Sequence, residues 1–219
     1  MKRLLLFAVV LACACATNAS AGDGTVDWSQ LGPAFTLLTT PENWVASNGY
    51  TGEVGITGSP LGTQNMERVD EGNGWGGNFS LGEALIWNEG GYQQTDIDIG
   101  IENTGQLTYG GGAAIQADFY GPFTATLTSY DSEGDILNVT TMTGDSNGNE
   151  DGSAIFIGWR SPSDDVWFQD FNVVDQYGGD SLAIGTYETY GSVPEPSSLM
   201  LLGSGLLGLG AFMRRKISR

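Results

Sequence analysis

Histidine is absent from this chain of 219 residues, and residues 22–213 also contain no cysteine and no lysine. Without these side chains, that stretch has no Ser-His-Asp or Cys-His catalytic site, no histidine- or thiolate-bound metal, and no lysine for Schiff-base chemistry. No Gly-x-Gly-x-x-Gly motif opens a helix after a strand, so no nucleotide site is predicted. The enzyme chemistry that remains is carboxylate chemistry, such as glycoside hydrolysis by a pair of acids.

Basic residues are scarce in the same stretch, where Arg68 and Arg160 alone offset the acidic side chains. All 26 Asp and Glu residues lie between Asp23 and Glu195, and two arginines against them leave residues 22–213 with a formal net charge of −24. This charge repels polyanions and excludes nucleic acid as a partner. Cations, neutral glycans and basic protein surfaces remain as partners, although the same charge also serves solubility outside the cell.

The N-terminus has the order of a secretory signal peptide. Two basic residues at positions 2 and 3 precede an apolar run, and Ala19 and Ala21 place small side chains at the −3 and −1 positions of a cleavage before Gly22. This order predicts a signal helix within residues 1–21, recognised by the export machinery and then removed.

Both cysteines, Cys13 and Cys15, fall inside the predicted signal peptide. A competing cut before Cys13 would make the protein a lipoprotein, but the preceding Val-Leu-Ala matches that signal only loosely. With the cut before Gly22, the exported chain cannot form a disulfide. About 170 residues remain between the two ends, which is ample for one domain stabilised by its own core.

The C-terminus carries three parts in a fixed order: Pro194-Glu195-Pro196, an apolar run over residues 199–213, and a basic end. The basic residues are Arg214, Arg215, Lys216 and Arg219. The prolines fix their own φ and push the residues before them toward extended geometry, so the triplet is presented as an open segment. Fifteen uncharged residues in a helix cover roughly 23 Å of a roughly 30 Å hydrocarbon core, so the predicted transmembrane helix is marginal. The basic end is predicted to stay cytoplasmic.

An ordinary C-terminal anchor shares the apolar-then-basic order, but the Pro-Glu-Pro triplet before the span resembles the PEP-CTERM sorting tail. That tail is found on exported proteins of Gram-negative bacteria that make extracellular polysaccharide. The resemblance covers residues 192–219 and implies that a membrane-embedded transpeptidase, exosortase, recognises Pro194, Glu195 and Pro196 and removes the apolar run and the basic end. It also implies transient residence in the inner membrane before delivery to the cell surface or extracellular matrix.

Between the two ends, apolar residues alternate with a period of two, as Ile97, Ile99 and Ile101 do. Alternating runs at 123–127 and 136–143 flank the turn 131–135 and predict a hairpin, and further strands fit 153–160, 166–174 and 182–190. The sequence therefore predicts an all-β fold, an antiparallel β-sandwich or jelly roll, over a single acidic domain at residues 22–191. The part before residue 91 is expected to be looser, with short edge strands and long loops. The section 121–185 also resembles the jelly-roll domains common on proteins with this tail.

Calcium is the candidate cofactor, because hard cations prefer oxygen ligands. Asp145, Asn147, Asn149 and Asp151 place oxygen-bearing side chains at alternate positions, as a cation-binding loop does. A hydrophilic hairpin loop without metal explains the same residues, and the glycine and glutamate of an EF-hand are missing. The turn 131–135 is a second candidate.

Six tryptophans lie between residues 28 and 167, and exposed indoles can stack on sugar rings. Trp75 sits in a glycine-rich stretch without a strand pattern and is the predicted glycan-binding residue. The alternative is that Trp75 folds back over the edge of the sandwich. Trp159 and Trp167 lie in patterned strands and are predicted to be core residues.

Three functions from different classes are compatible with these features. The favoured one is a non-enzymatic surface or matrix protein, in which the acidic domain is a structural or interaction module among exopolysaccharide, as in a biofilm. The second is a calcium-dependent carbohydrate-binding module. The third is a carboxylate-dependent glycosidase, which is less favoured because most acids fall in turns or on strand positions that alternate outward.

Overall fold

The computed structural model describes residues 22–39, 41–58, 65–89, 97–179 and 181–191. The predicted signal helix, its cleavage site, the sorting triplet, the transmembrane helix and the basic end all lie outside these ranges. Within these ranges, no helix has the length and apolar character needed to cross a membrane. Asp23–Ser192 form one compact unit.

The described residues form fourteen strands and one short 3₁₀ helix at Trp28–Leu31. The strands are β1 (Gly24–Val26), β2 (Thr36–Leu38), β3 (Glu42–Val45), β4 (Thr51–Gly58), β5 (Asn65–Glu71), β6 (Gly74–Trp75), β7 (Ala84–Glu89), β8 (Ile97–Glu102), β9 (Gly110–Ala117), β10 (Gly121–Tyr130), β11 (Ile136–Ser146), β12 (Ile155–Arg160), β13 (Phe168–Asp175) and β14 (Leu182–Thr189).

These strands form two sheets that pack against each other. The eight-stranded sheet has the order β12-β9-β14-β7-β5-β2, with β1 added beside β14 and β6 beside β5. The six-stranded sheet has the order β11-β10-β13-β8-β4-β3. The pairings are antiparallel apart from the short parallel contact of β6 with β5. The prediction of an all-β antiparallel sandwich is confirmed for the described residues.

The space between the sheets is filled by aromatic rings joined to a small polar network. Tyr187 of β14 is fully buried and lies 6.0 Å from the ring of Trp44 and 6.2 Å from that of Phe171, between ring centroids. Its hydroxyl donates to the side-chain carbonyl of Gln169 at 2.7 Å, and the Gln169 amide donates to the Ser129 hydroxyl at 3.0 Å. Because these buried polar groups satisfy one another, hydrogen bonds as well as apolar contacts join the two sheets.

Strand β9 is almost entirely buried although its sequence begins with three glycines. A Cβ on Gly111 would lie 2.4 Å from both the Glu188 carbonyl oxygen and the Tyr187 hydroxyl oxygen. The close approach of β14 therefore requires glycine at this position. A run of glycines normally indicates a turn, which is why the sequence pattern does not predict β9.

The predicted hairpin is confirmed as β10 and β11, and the other predicted strands correspond to β8, β12, β13 and β14. Before residue 91, the prediction of short edge strands is confirmed by β2 and β3, but it is wrong for β4 and β5. Strands β4 and β5 are eight and seven residues long, and each is paired on both sides within its sheet. Glycines in β4 and charged residues in β5 obscure their alternation. Trp159 and Trp167, predicted as core residues, are half-buried.

The two ends of the described domain are tied together. The Gly191 N–H donates to the Asp23 carboxylate at 3.1 Å, and the Arg160 guanidinium donates to the same carboxylate at 2.5 Å and to the Gly191 carbonyl at 2.9 Å. The Arg160 guanidinium also lies 4.4 Å from the centroid of the Tyr190 ring. The chain therefore enters and leaves the sandwich at one place.

Candidate functional site at one end of the sandwich

Four loops meet at the end of the sandwich opposite the chain ends. They are the segments 76–83, 118–120, 147–154 and 176–179. The Glu150 N–H donates to the Gly77 carbonyl at 2.8 Å, and the Asp118 N–H donates to the Ser181 carbonyl at 2.9 Å, so these loops support one another. Strand β14 runs from this end to the chain ends, and its eight residues separate the two by roughly 26 Å.

Residues of three of these loops line an open depression of about 440 Å³, which we call the loop-end pocket. It is lined by aromatic rings, one carboxylate and a glycine backbone. The lining residues are Gly76, Asp118, Phe119, Tyr120 and Tyr177. Aromatic rings beside a few convergent polar groups are the contacts that orient a bound ligand. This open depression can therefore hold a ligand segment against the surface.

Both tyrosines of the pocket are held in place although about half of each is exposed. Tyr120 is 55% exposed, and its hydroxyl donates to the Gly76 carbonyl at 2.7 Å. Tyr177 is 50% exposed, and its ring packs edge-on against Phe119 with centroids 6.3 Å apart. The Tyr177 N–H donates to the Asp175 carboxylate at 2.7 Å. Two exposed rings fixed in this way form a preorganised surface, which reduces the entropy cost of binding.

Asp118 supplies the carboxylate of the loop-end pocket. Burial raises the pKa of Asp118, the Ser181 hydroxyl that donates to it at 3.4 Å lowers it, and the negative charge of Asp175 raises it further. The folded protein therefore favours the protonated form of Asp118 more than the unfolded chain does. A protonated carboxyl both donates and accepts hydrogen bonds, whereas the ionised form only accepts.

Asp118→Asn is expected to raise Tm at pH 7.5 by about 2 °C, the shift typical of a change near 1 kcal/mol in a domain of this size. Because the folded pKa lies above its ordinary value of 3.8, the stability linked to Asp118 is fully present below that value. It is lost as pH rises through the folded pKa. The gain should therefore shrink toward pH 4 in thermal melts across pH. Asp164→Asn, an exposed aspartate at the other end, is the matched control, and an equal gain there would contradict this account.

A buried carboxylate positions the loop that carries Gly76. Glu71, at the end of β5, is 1% exposed and accepts from the Gly77 N–H at 2.7 Å and the Phe79 N–H at 3.2 Å. Burial raises the pKa of Glu71, and these backbone donors lower it. The ion pairs of the described residues are Arg68 with Asp70 and Arg160 with Asp23, so Glu71 depends on backbone donors for compensation.

Two buried amides join the segment after β6 to the loop between β11 and β12. The Gln116 side-chain carbonyl accepts from the Asn78 N–H at 2.6 Å. The Asn78 side-chain carbonyl accepts from the Asn147 N–H at 2.7 Å, and its amide donates to the Ser153 hydroxyl at 2.9 Å. These bonds fix the 147–154 loop beside the loop-end pocket.

The predicted calcium residues lie in and beside this loop. The Asn147 side-chain oxygen accepts from the Asn149 N–H at 2.9 Å, and an Asp151 carboxylate oxygen accepts from the Ser153 N–H at 3.0 Å, so each closes its own turn. Hydrogen bonds from Ser153, first from its side chain and then from its N–H, lower the pKa of Asp151. The described ranges contain no group of three or more Asp, Glu, His or Cys side chains placed to hold a metal ion. Calcium binding by Asp145, Asn147, Asn149 and Asp151 stays a prediction.

If this loop binds calcium, the ion at 100 times its Kd should raise the Tm of the full chain by about 5 °C or more. The shift would arise because the ion binds the carboxylates of the folded loop and so stabilises the folded state. The double variant Asp145→Asn, Asp151→Asn should lose it, while magnesium at equal concentration should not reproduce it. A Tm that is unchanged between chelator and millimolar calcium contradicts the calcium prediction.

Trp75 does not present an exposed ring. It lies in β6, is 7% exposed, and packs edge-on against Trp87 with centroids 5.9 Å apart. It belongs to a buried cluster with Val69, Phe79 and Leu85. Because stacking on a sugar requires an open ring face, this placement corrects the prediction of glycan binding at Trp75 and agrees with the alternative that it folds back over the sandwich.

The exposed aromatic side chains of the pocket, Tyr120 and Tyr177, were not predicted from the sequence. Tyr120 precedes Gly121, and Tyr177 precedes Gly178, whose φ values are +118° and +81°. An aromatic residue directly before a glycine in this conformation lies at a tight turn, where its ring can point away from the core. This local pattern is the sequence signal that could have identified them.

A second depression, of about 270 Å³, lies on the outer face of the six-stranded sheet. Glu102 of β8 stands directly opposite Glu53 of β4 on one side and Phe168 of β13 on the other. Like charges in directly opposed positions destabilise a sheet. Among the described residues neither glutamate is in an ion pair.

Residues 192–216 match the family described as the PEP-CTERM protein-sorting motif. The match includes Pro194, Glu195 and Pro196 and ends within the basic cluster. The motif implies export, exosortase as the processing partner, and passage through the membrane for sorting to the cell surface.

The central domain is a β-sandwich that resembles solved structures at low identity. A DUF4465 family protein from Bacteroides caccae aligns with a TM-score of 0.44 and 10% identity over 76% of this chain and 98% of that chain. A variant of a family 29 carbohydrate-binding module aligns with a TM-score of 0.33 and 12% identity over 79% of this chain and 96% of that chain. Among curated proteins, none matches this sequence.

Proposed function

We propose that this is a cell-surface or extracellular-matrix protein of a Gram-negative bacterium, and that its β-sandwich is a non-enzymatic module associated with exopolysaccharide. The PEP-CTERM motif at residues 192–216 carries the proposal, since it directs the chain out of the cell. The ends of the domain are tied together by Asp23, Arg160 and Gly191. The described domain therefore begins and ends on the side of the sandwich opposite the loop-end pocket.

The charge distribution favours a neutral or cationic polysaccharide. In the described part of the chain, Arg68 pairs with Asp70 and Arg160 pairs with Asp23. Both arginines are in ion pairs, and the sequence contains 26 acids. The described part of the domain therefore has no unpaired basic side chain that could bind an acidic glycan. Electrostatic repulsion then disfavours uronate-, phosphate- or sulfate-bearing chains.

The environment of the pocket carboxylate supports the non-enzymatic part of the proposal. A glycosidase needs a carboxyl of raised pKa and a second carboxylate free to act across the substrate. Asp118 has the first property. The second candidate is Asp175, whose negative charge raises the pKa of Asp118. Asp175 is 7% exposed, and its carboxylate accepts from the Tyr177 N–H at 2.7 Å and the Gly179 N–H at 2.9 Å. Asp175 is thus occupied in closing a turn.

The proposal is tested by fractionating the source organism and by co-sedimenting the purified full chain with its exopolysaccharide. We expect the processed protein in the surface and matrix fractions, retention on the polysaccharide, and no release of reducing ends on prolonged incubation. Protein confined to the inner membrane or cytoplasm contradicts the location. Absence of retention contradicts the polysaccharide association, and steady release of reducing ends contradicts the non-enzymatic role.

A further inference from the structure

The loop-end pocket combines aromatic rings with polar groups, and sugars are recognised by both. Its lining includes two tyrosine rings that are about half exposed, one hydrogen-bonded to the Gly76 carbonyl and the other packed edge-on against Phe119. The C–H face of a pyranose ring is apolar and packs on such rings, while its hydroxyls need hydrogen-bonding groups at the rim. Asp118 and the Gly76 backbone provide polar groups at the same depression.

We propose that the loop-end pocket binds a neutral sugar ring of a polysaccharide, with Tyr120 and Tyr177 against its apolar face and the Asp118 carboxyl hydrogen-bonded to its hydroxyls. The inference rests on the proposed association with exopolysaccharide and assigns it a site and a ligand class. Neutral sugars fit because neither the pocket acid Asp118 nor the neighbouring Asp175 is paired with a basic side chain of the described residues. A uronate in the pocket would face these acids without a compensating cation from the described residues.

The contacts of the two tyrosines indicate a preorganised site. A Cβ on Gly148 would lie 2.4 Å from the Tyr120 hydroxyl oxygen, so a glycine leaves room for that ring against the neighbouring loop. The Gln176 amide donates to the Tyr120 carbonyl at 2.9 Å and links the two loops that carry the tyrosines. These contacts hold Tyr120 and Tyr177 in place without any ligand, so little ordering is required on binding.

The test titrates the full chain, in mild detergent, with four neutral oligosaccharides, cellohexaose, laminarihexaose, mannohexaose and maltohexaose, and with a polygalacturonate oligomer of similar length. We expect calorimetric binding to at least one neutral oligosaccharide and none to polygalacturonate. Tyr177→Ala and Tyr120→Ala should each weaken the neutral interaction by about tenfold or more, because exposed aromatic anchors dominate such interfaces. Tyr177→Phe should keep the affinity within about threefold, since it retains the ring.

Phe168→Ala serves as the matched control. It removes an aromatic ring from the depression on the outer face of the six-stranded sheet and should leave the affinity unchanged. The inference is overturned if no neutral oligosaccharide binds, if polygalacturonate binds equally, or if Phe168→Ala rather than the tyrosine variants abolishes binding. Co-sedimentation with the native exopolysaccharide distinguishes failure of this inference from failure of the proposed function. If the tyrosine variants are still retained on the exopolysaccharide, the inference about the pocket is wrong but the proposed association stands.

Discussion

Alanine in place of Pro194, Glu195 and Pro196 is expected to leave the full-length chain in the membrane and to abolish its delivery to the cell surface. Proline restricts its own backbone and disfavours a helix, whereas alanine is the strongest helix former, so the substitution is expected to remove the preference for an extended triplet. An enzyme that binds the triplet as an extended segment would then no longer find the side chains or the backbone conformation that it recognises. Immunoblots of membrane and surface fractions measure the outcome as a shift in size and location.

The matched control for this variant is Ser197→Ala combined with Ser198→Ala, which changes the same stretch of chain and keeps the triplet. It should be processed and delivered as the natural sequence is. If the triple alanine variant reaches the surface at the mature size and in normal amount, the sorting interpretation of the tail is wrong.

Glu71→Ala is expected to lower the free energy of unfolding by about 3 kcal/mol, because two buried backbone donors lose their acceptor. The donors are the N–H groups of Gly77 and Phe79. In thermal melts of the full chain this corresponds to a decrease in Tm of roughly 6 to 12 °C. The Gly76 carbonyl that holds Tyr120 lies next to this anchor, so binding at the loop-end pocket should weaken as well.

Glu71→Gln separates the loss of the acceptor from the loss of charge. Its amide oxygen can still accept from one backbone N–H, so we expect a smaller decrease in Tm than for alanine. Since burial raises the pKa of Glu71, wild-type stability should fall as pH rises through that pKa, and Glu71→Gln should remove this part of the pH dependence. Glu133→Ala, an exposed glutamate in the turn between β10 and β11, is the control. Equal effects of Glu71→Ala and Glu133→Ala would show that the anchor is not structural.

Strands with a clear period of two were predictable, because one face of each is buried. Strand β10 and the strand with Ile99 and Ile101 follow that rule, whereas β11 is an edge strand in which Ser146 alone is buried. Strand β9 does not, since its glycines serve close approach to β14 and a glycine carries no side chain to show which face is buried. The order of strands in the two sheets depends on contacts between distant segments, which local patterns do not encode.

The candidate site was harder to predict than the fold. Trp75 stood out by residue type, yet burial depends on the neighbours Val69, Phe79 and Leu85, which meet it only in the folded chain. Tyr120 and Tyr177 lie 57 positions apart in the sequence, and the two sheets bring them to one depression. The lack of histidine, cysteine and lysine in residues 22–213, by contrast, is a property of composition and limits the chemistry of the domain whatever its fold.

The sorting tail was predictable because its parts are local and consecutive. Two prolines around a glutamate, an apolar run and a basic end need no tertiary contact to be recognised, and residues 192–216 match the corresponding family. The activity of the domain depends instead on side chains gathered from several loops. Sequence therefore specifies the route of this protein more directly than the ligand of its sandwich.

Intact-mass spectrometry of the protein recovered from the surface or medium of the source organism tests the central claim most directly. The account predicts a chain that begins at Gly22 and ends at or near Pro196, without the apolar run and the basic end. A recovered chain that still extends to Arg219 would contradict processing by an exosortase and, with it, the proposed route to the cell surface.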